Sequence, residues 1–461
     1  MADAVLSRAA AAARVTPERA LRAVVAVAAL VALWNAARYP VGNGYDAIWH
    51  ERYADFLIHH HALPTRADTL EYYSPPLYYL LAGAADWAGT QLGLGEPHRL
   101  AVLLNVPCLA GTALLVAALA RLLWPARRWP PVAAAGFVAL SPVLLRISAM
   151  FQPEPLDLLL QTLSLYLAAR MLVRRSYGAG AALALGVALG AAQMVRQFAL
   201  WALATVVVAW LAAAWARPEE RRALLRSLAV VLAAVVVVAG PWYGWRAATY
   251  GNAVFDRPQT AKPLWDRRPA SFYVGTGLPQ VFTAPHRPHF VNRVWPVTYA
   301  DVWGDWYGVF AWDATRGSPT PARNAWLVAQ DVVGIVPTAL ALAGWLALLV
   351  RSARRRDGPL LLVSVLPLAA LAGYLYFTVG YPTPDGDTIK AVYLLASLGG
   401  WALCFAAAAA WAAGRAPRLV GPLLALLALA YWPAATTIRE PGARWASGDS
   451  LGPQMSGQLL P

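Results

Sequence analysis

Residues 44–61, GYDAIWHERYADFLIHHH, crowd Asp46, His50, Glu51, Asp55 and three consecutive histidines into one stretch directly after a long apolar run. Carboxylates and imidazoles are the side chains of proton transfer and of cation binding. A plainer reading runs beside the chemical one. Tyr45, Ile48, Trp49, Tyr53, Phe56 and Leu57 share one helical face, and the acids fall largely elsewhere. A helix lying in a membrane interface needs such a wet face, and acids in a first turn suit the positive end of the helix dipole. That reading accounts for Glu51 and Asp55. His59, His60 and His61 are adjacent, so on a helix they cannot all face one ion.

Cations stand out further along. Only two of the 38 basic residues are lysines, Lys262 and Lys390, and Lys390 in DGDTIKAVYLL sits at the mouth of an apolar run. A compact ammonium is a common phosphate partner; the plain alternative is an interfacial lysine reaching for water. Arg196, in AAQMVRQFALW, lies between two apolar runs, and Arg146 lies one turn inside the end of its own. Charges at such depth face the protein interior or a wet cavity. Arg196 suits either a lipid phosphate or the capping of a tight turn. DVWGDWYGVFAWD at 301–313 interleaves Asp301, Asp305 and Asp313 with Trp303, Trp306, Tyr307 and Trp312. It reads as a sugar platform, with rings on C–H surfaces and carboxylates on hydroxyls, or as a Trp-rich lid packing on itself. Asp385 and Asp387 flank Gly386, which fits a cavity wall or an ordinary tight turn.

The elements that must carry these residues are membrane helices. The 461 residues are 59% hydrophobic and 13% charged, with many nearly uncharged segments of bilayer-spanning length. This is the pattern of an all-α polytopic membrane protein, whereas a barrel shows short alternating segments. The net charge of +14 comes from arginines clustered between apolar runs, not from a basic domain, so nucleic acid is excluded as a partner. Cys108 and Cys404 fall inside expected spans and read as small apolar residues.

Spans are expected at 20–38, 98–122, 132–150, 155–173, 179–195, 197–215, 224–245, 326–350, 359–379, 389–413 and 418–437. Residues 75–92 also reach spanning length, but charge placement assigns them to the interface. With that choice Arg8, Arg14, Arg19 and Arg22, then Arg127 and Arg128, Arg174 and Arg175, the 217–226 cluster, the 351–356 cluster, Arg415 and Arg418 all fall on one side. The expectation is therefore eleven transmembrane helices, a cytoplasmic N-terminus over 1–19 and an extracytoplasmic tail over 438–461. A first outer loop, 39–97, holds two interfacial helices, the second started by Ser74 as N-cap and Pro75. The chain then divides into a transmembrane module over 20–245, an aromatic-rich outer loop over 246–325 and C-terminal helices over 326–437. All seven histidines and both lysines lie on the outer side, so any chemistry is extracytoplasmic.

The order of YDAIWHERYADFL, YYSPPLYYLLAG, PHRLAVLLNVPCLAG and ALSPVLLRISAMFQPEPLDLLL resembles the membrane glycosyltransferases of the GT-C class. The likeness is to the protein O-mannosyltransferase and aminoarabinose transferase group, and it covers about residues 20–200. It implies the GT-C fold and the transfer of a sugar from a polyprenyl-phosphate carrier to an acceptor outside the membrane. Asp46 matches the catalytic acid, with Ala47 where many relatives have Glu. The second outer-loop acid falls on Glu154 or Asp157, with Glu154 nearer the surface. Ser74 stands where some relatives have Lys.

The resemblance implies single displacement with inversion: Asp46 as general base, with Glu154 as the second acid. Lys390, Arg196 and Arg146 would stabilise the lipid phosphate. Around them Tyr45, His50, Glu51, Tyr73 and Gln152 are expected to bind substrate or support the acids, with His50 on Asp46. Asp305, Trp306, Asp387 and Tyr393 are expected in the same substrate-binding or supporting set. No spacing demands a cofactor, and a divalent metal ion at Asp46, His50 and Glu154 is left open. The expected partners are a polyprenyl-phosphate-sugar donor, a polysaccharide, lipid or protein acceptor, and membrane lipids. Alanine- and arginine-rich composition points to a bacterial inner membrane. A transporter or flippase of lipid-linked saccharides is the rival reading, but it should place polar groups at mid-membrane. A polymerase would use Arg287, His289 and Arg293.

Overall fold

Thr16 starts the first helix: its Oγ1 accepts from the Arg19 N–H, and Pro17 takes the first helical position. The computed structural model describes residues 16–254, 263, 266–310, 319–381 and 388–436. In chain order the helices are α1 (Pro17–Arg38), α2 (Ala47–His60), α3 (Leu77–Gln91), α4 (Arg99–Leu103), α5 (Asn105–Leu123), α6 (Pro130–Ala139), α7 (Pro142–Ile147), α8 (Glu154–Arg174) and α9 (Ala179–Gln193). They continue as α10 (Leu200–Ala216), α11 (Arg221–Tyr250), α12 (Ala270–Val274), α13 (Val294–Trp303), α14 (Pro321–Arg355) and α15 (Gly358–Gly380). A 3-10 segment, Ala391–Ser397, leads into α16 (Leu398–Arg415), and α17 (Val420–Thr436) follows. The described residues contain no strand.

Eight helical segments are long and apolar enough to cross a bilayer, and three shorter apolar helices, Pro130–Ala139, Ala179–Gln193 and Pro417–Tyr431, fall on the remaining expected spans. The protein is an all-α polytopic membrane protein. α3, at 15 residues, is about 22 Å long, the same length as α9, so the charge pattern and not its length assigns it to the interface. It packs on α2.

Two expected boundaries are corrected. The span at 132–150 is not one helix. Ser141 is extended (φ −62°, ψ 118°) because the following Pro142 disfavours the helical region, so α6 stops and α7 restarts. The loop expected at 246–325 is shorter at both ends, since α11 runs to Tyr250 and α14 begins at Pro321. At 35 residues α14 is about 52 Å long, so it must stand well clear of the hydrocarbon.

Alternating span directions sort the connections. Arg127 and Arg128, Arg174 and Arg175, and the 217–226 and 351–356 clusters lie at one end of the bundle. Segments 39–97, 148–153, 194–199 and 388–390 lie at the other. Every residue described next comes from that second end or from the α11–α14 connection above it.

Candidate functional site

Gly44 opens the site. Its φ is 116°, and a Cβ there would lie 2.7 Å from Met150 Sδ, so only glycine lets the chain turn against the α7–α8 link. Asp46 follows with φ 54° and ψ 17°, a left-handed conformation that aspartate tolerates better than most residues. It holds the N-cap position of α2, yet its side chain makes no cap bond. The carboxylate turns to Lys390 instead, whose Nζ donates to Asp46 Oδ2 at 2.9 Å. The ammonium also lies 5.7 Å from the Tyr45 ring centroid, within cation–π range. The Lys390 side chain is 5% exposed and that of Asp46 23%, so the carboxylate is the part a substrate can reach.

A second carboxylate holds this pair in register. Asp301, fully buried on α13, accepts from Tyr45 Oη at Oδ1 and from the Ala391 N–H at Oδ2, both at 2.8 Å. It therefore grips the neighbour of Asp46 and the neighbour of Lys390 at once. Arg146 backs it, donating to the Asp301 main-chain oxygen and lying 3.6 Å from Oδ1. That places Arg146, expected at the donor phosphate, behind the site. Asp305 Oδ2 accepts from the Phe310 N–H at 3.0 Å, and the fully buried Trp306 donates from Nε1 to the His289 carbonyl at 3.2 Å. These two residues pack the loop on itself, in line with the lid alternative, while Trp312 and Asp313 of the same motif lie outside the described residues.

Arg196 is the centre of the other half. Its Nε donates to Glu154 Oε1 at 2.9 Å and its Nη2 reaches the same oxygen at 2.6 Å. Nη1 donates to Glu71 Oε2 at 3.2 Å and to Ser74 Oγ at 3.0 Å. Nη2 also faces His50 Nε2 at 3.4 Å, and since arginine only donates, that nitrogen is the acceptor. The His50 proton then sits on Nδ1, which lies 2.7 Å from Tyr79 Oη. His50 thus serves the arginine cluster and not Asp46 as expected. Burial lowers its pKa below 6.5, and the nearby Arg196 acts in the same direction.

Burial would raise the pKa of Glu71, but the Arg196 charge, with hydrogen bonds from Ser74 and Tyr73, outweighs it and holds the group below its ordinary 4.5. A carboxylate so depressed adds stability that is complete above pH 4.5 and is lost as pH falls through the lowered pKa. His50, buried neutral, loses stability in the same direction from its ordinary pKa of 6.5 downward. The thermal stability gap between wild type and Glu71→Gln is therefore expected to be constant from pH 8 to about 5.5 and to close below 4.5. A gap that stays constant to pH 3.5 would contradict the ionised assignment.

Asp46, Lys390, Glu154 and Arg196 line one pocket of about 910 Å³, part of it open to solvent, with Tyr45, Tyr73 and Gln152 between them. Gln152 Nε2 donates to the Tyr45 carbonyl. The remaining wall is aromatic: Phe198, Trp201, Tyr376, Phe377 and Tyr393. Phe198 and Phe377 lie 5.1 Å and 5.0 Å from the Tyr393 ring. A polar mouth with two cations and an aromatic slot is the shape an anionic headgroup on an apolar chain requires. Glu154 Oε2 has no hydrogen-bond partner among the described residues. Glu51 lies apart from the pocket, beside Asp55, Asp86 and His98. Asp387 lies outside the described residues.

Glu71 and the clamping role of Asp301 escaped the sequence reading. Glu71 precedes the SPP turn by two residues, so its only signal was a lone acid among tyrosines beside a helix start. Asp301 is one of several acids in its motif, and nothing in the spacing separates it from Asp305. A divalent ion at Asp46, His50 and Glu154 does not suit the geometry, because Lys390 and Arg196 already neutralise both acids and both His50 nitrogens are engaged. Elsewhere Asp55, Asp86 and His98 bring three ligand atoms within 4.8 Å of one another.

The backbone resembles solved membrane enzymes. It superimposes on the oligosaccharyltransferase AglB of Archaeoglobus fulgidus in complex with an inhibitory peptide and a dolichol-phosphate, with a TM-score of 0.55 over 96% of this chain and 60% of that one, at 14% identity. It matches ArnT from Cupriavidus metallidurans bound to undecaprenyl phosphate with a TM-score of 0.50 over 95% of this chain and 80% of that one, at 17% identity. The chain has the GT-C fold. A further match is the same archaeal oligosaccharyltransferase in complex with zinc and sulfate, with a TM-score of 0.53 and 15% identity over 95% of this chain and 57% of that one. The chain thus spans about 60% of the length of the oligosaccharyltransferase structures. No family model and no curated protein sequence matches it.

Proposed function

We propose that this GT-C chain is an inverting glycosyltransferase that moves a sugar from a polyprenyl-phosphate carrier to a hydroxyl-bearing acceptor. The observation that carries the proposal is the Asp46–Lys390 pair at 2.9 Å in a pocket that also holds Arg196 and an aromatic slot. The solved GT-C proteins with dolichol-phosphate and undecaprenyl phosphate support the class of lipid. The pocket faces the extracytoplasmic side in this reading, because the arginine clusters gather at the opposite end of the bundle.

The donor phosphate enters beside Lys390 and Arg196, with the isoprenoid chain along Phe198, Trp201 and Tyr393. Phosphate competes with Asp46 for the Lys390 ammonium and frees the carboxylate. The acceptor oxygen attacks the anomeric carbon while Asp46 takes its proton. The bond from that carbon to the phosphate oxygen breaks, its electron pair leaves with the phosphate, and the added negative charge meets the two cations. Attack opposite the leaving group inverts the anomeric centre. Glu154 aims Arg196 through Oε1.

The test is turnover of a panel of polyprenyl-phosphate sugars by purified protein in nanodiscs. Consumption of one donor with release of polyprenyl phosphate supports the reading; donor binding with no consumption, over a range of acceptors, would favour a transporter. Lys390→Ala is expected to lower kcat by about 10²–10³-fold, the usual loss for one preorganised charge stabiliser. Lys390→Arg should recover part of it, and an unchanged kcat would remove Lys390 from the leaving-group site.

A further inference from the structure

The first long connection carries a second cluster, separate from the pocket. His98 Nδ1 and Asp86 Oδ2 lie 2.9 Å apart, and Asp55 brings a third ligand atom within 4.8 Å of both. We infer that Asp55, Asp86 and His98 form a structural zinc site that staples α2 and α3 to the segment before α4.

Three observations carry this. Asp86 is 6% exposed, and its Oδ1 is buried without a hydrogen-bond partner among the described residues. A carboxylate oxygen left so in a protein interior is costly unless a donor or cation occupies the space beside it. Glu51, one turn before Asp55 on α2, also has a buried oxygen, Oε1, without a partner, and it lies close enough to interact electrostatically with Asp55, Asp86 and His98. It stands next to the site, outside the three ligand atoms that converge. The backbone is built for the convergence: a Cβ on Gly89 would lie 2.7 Å from the Pro97 carbonyl, so glycine alone lets the segment bearing His98 close over α3.

The donor set selects the metal. One imidazole and two carboxylates suit zinc with bonds of about 2.0–2.1 Å, and a nitrogen donor disfavours calcium and magnesium. Ligand atoms around such an ion sit roughly 3.3 Å apart, so the 2.9 Å His98–Asp86 contact opens slightly and Asp55 closes by up to about 1.5 Å from the 4.8 Å envelope. The site carries no chemistry of its own here. Its consequence is mechanical, since α2 begins at Asp46 and a fixed α2 holds that residue's turn.

The experiment titrates metal-depleted, tag-free protein in nanodiscs with zinc chloride, and in parallel arms with calcium and magnesium chloride. Bound metal is measured by mass spectrometry after desalting, with cobalt absorption as a readout of tetrahedral coordination. Wild type is expected to bind one zinc per chain and to gain thermal stability. Asp55→Asn, which leaves the His98–Asp86 pair intact, should bind at least tenfold more weakly, and Asp86→Asn should lose zinc entirely. A variant with His59, His60 and His61 all changed to alanine should bind like wild type. No zinc on wild type, a preference for calcium, or binding lost with the three histidines and kept in Asp55→Asn would overturn the site. Should Asp86→Asn fail to fold, the Asp55→Asn comparison decides alone.

Discussion

With Asp46→Asn, sugar transfer is expected to fall by about 10²–10⁴-fold while donor affinity holds or improves. Asparagine keeps the shape of the side chain and tolerates the left-handed backbone at φ 54°, so the turn from Gly44 into α2 survives. What is removed is the one lone pair able to take a proton in the exposed half of the pair. Lys390 loses the Asp46 carboxylate charge and meets an arriving phosphate with less competition. The two effects separate base from binder: kcat drops, and KM stays or falls. Equal turnover by wild type and variant would take Asp46 out of the mechanism. A rise in KM at constant kcat would make it a binding residue only.

The second large effect is on folding. Arg196→Met leaves Glu71 and Glu154, 5% and 4% exposed, facing one another's charge with no guanidinium between them. Breaking a buried ion cluster from the cationic side costs about 3–5 kcal/mol, because two carboxylates stay desolvated and unpaired. The variant is expected to accumulate poorly and to melt far below wild type. Removing the charges together should restore much of the loss: the triple variant Arg196→Met, Glu71→Gln, Glu154→Gln is expected to be more stable than Arg196→Met alone. Thermal melts of the three proteins in one detergent measure this. If Arg196→Met melts with wild type, or the triple variant melts lower still, the cluster is not held by its charges. The triple variant should be inactive even where it is stable, since the phosphate has lost one of its two cations.

The fold was legible because membrane helices write themselves in long apolar runs. Each of the eleven expected spans meets an apolar helix, and the one misread span, 132–150, failed at a proline that a hydropathy reading passes over. Asp46, Lys390, Arg196 and Glu154 were also legible, since in a chain with so few charges each one near a span end asks for a reason. Their pairing was not. Nothing in one sequence says that Lys390 meets Asp46 across 344 positions, or that Glu154 serves Arg196. Arg146 and Asp305 show the converse. Depth marked Arg146 as a buried charge and residue type marked Asp305 as a sugar contact, yet the chain spends them on the Asp301 clamp and on loop packing. Buried ion pairs and catalytic ions look alike until their partners are known.

The Asp301 clamp also has a meaning for how the protein is made. It joins residue 45, residue 301 and residue 391, which leave the ribosome far apart in time. Early helices insert and pack first, so a nascent chain can hold Asp46 in place for most of its synthesis with no ammonium opposite it. Only when α15 has entered the bilayer and the segment after it reaches Asp301 does Lys390 arrive. Under the proposed mechanism an unfinished chain has a base but no complete phosphate seat, so it discharges the activated lipid far more slowly than the finished chain.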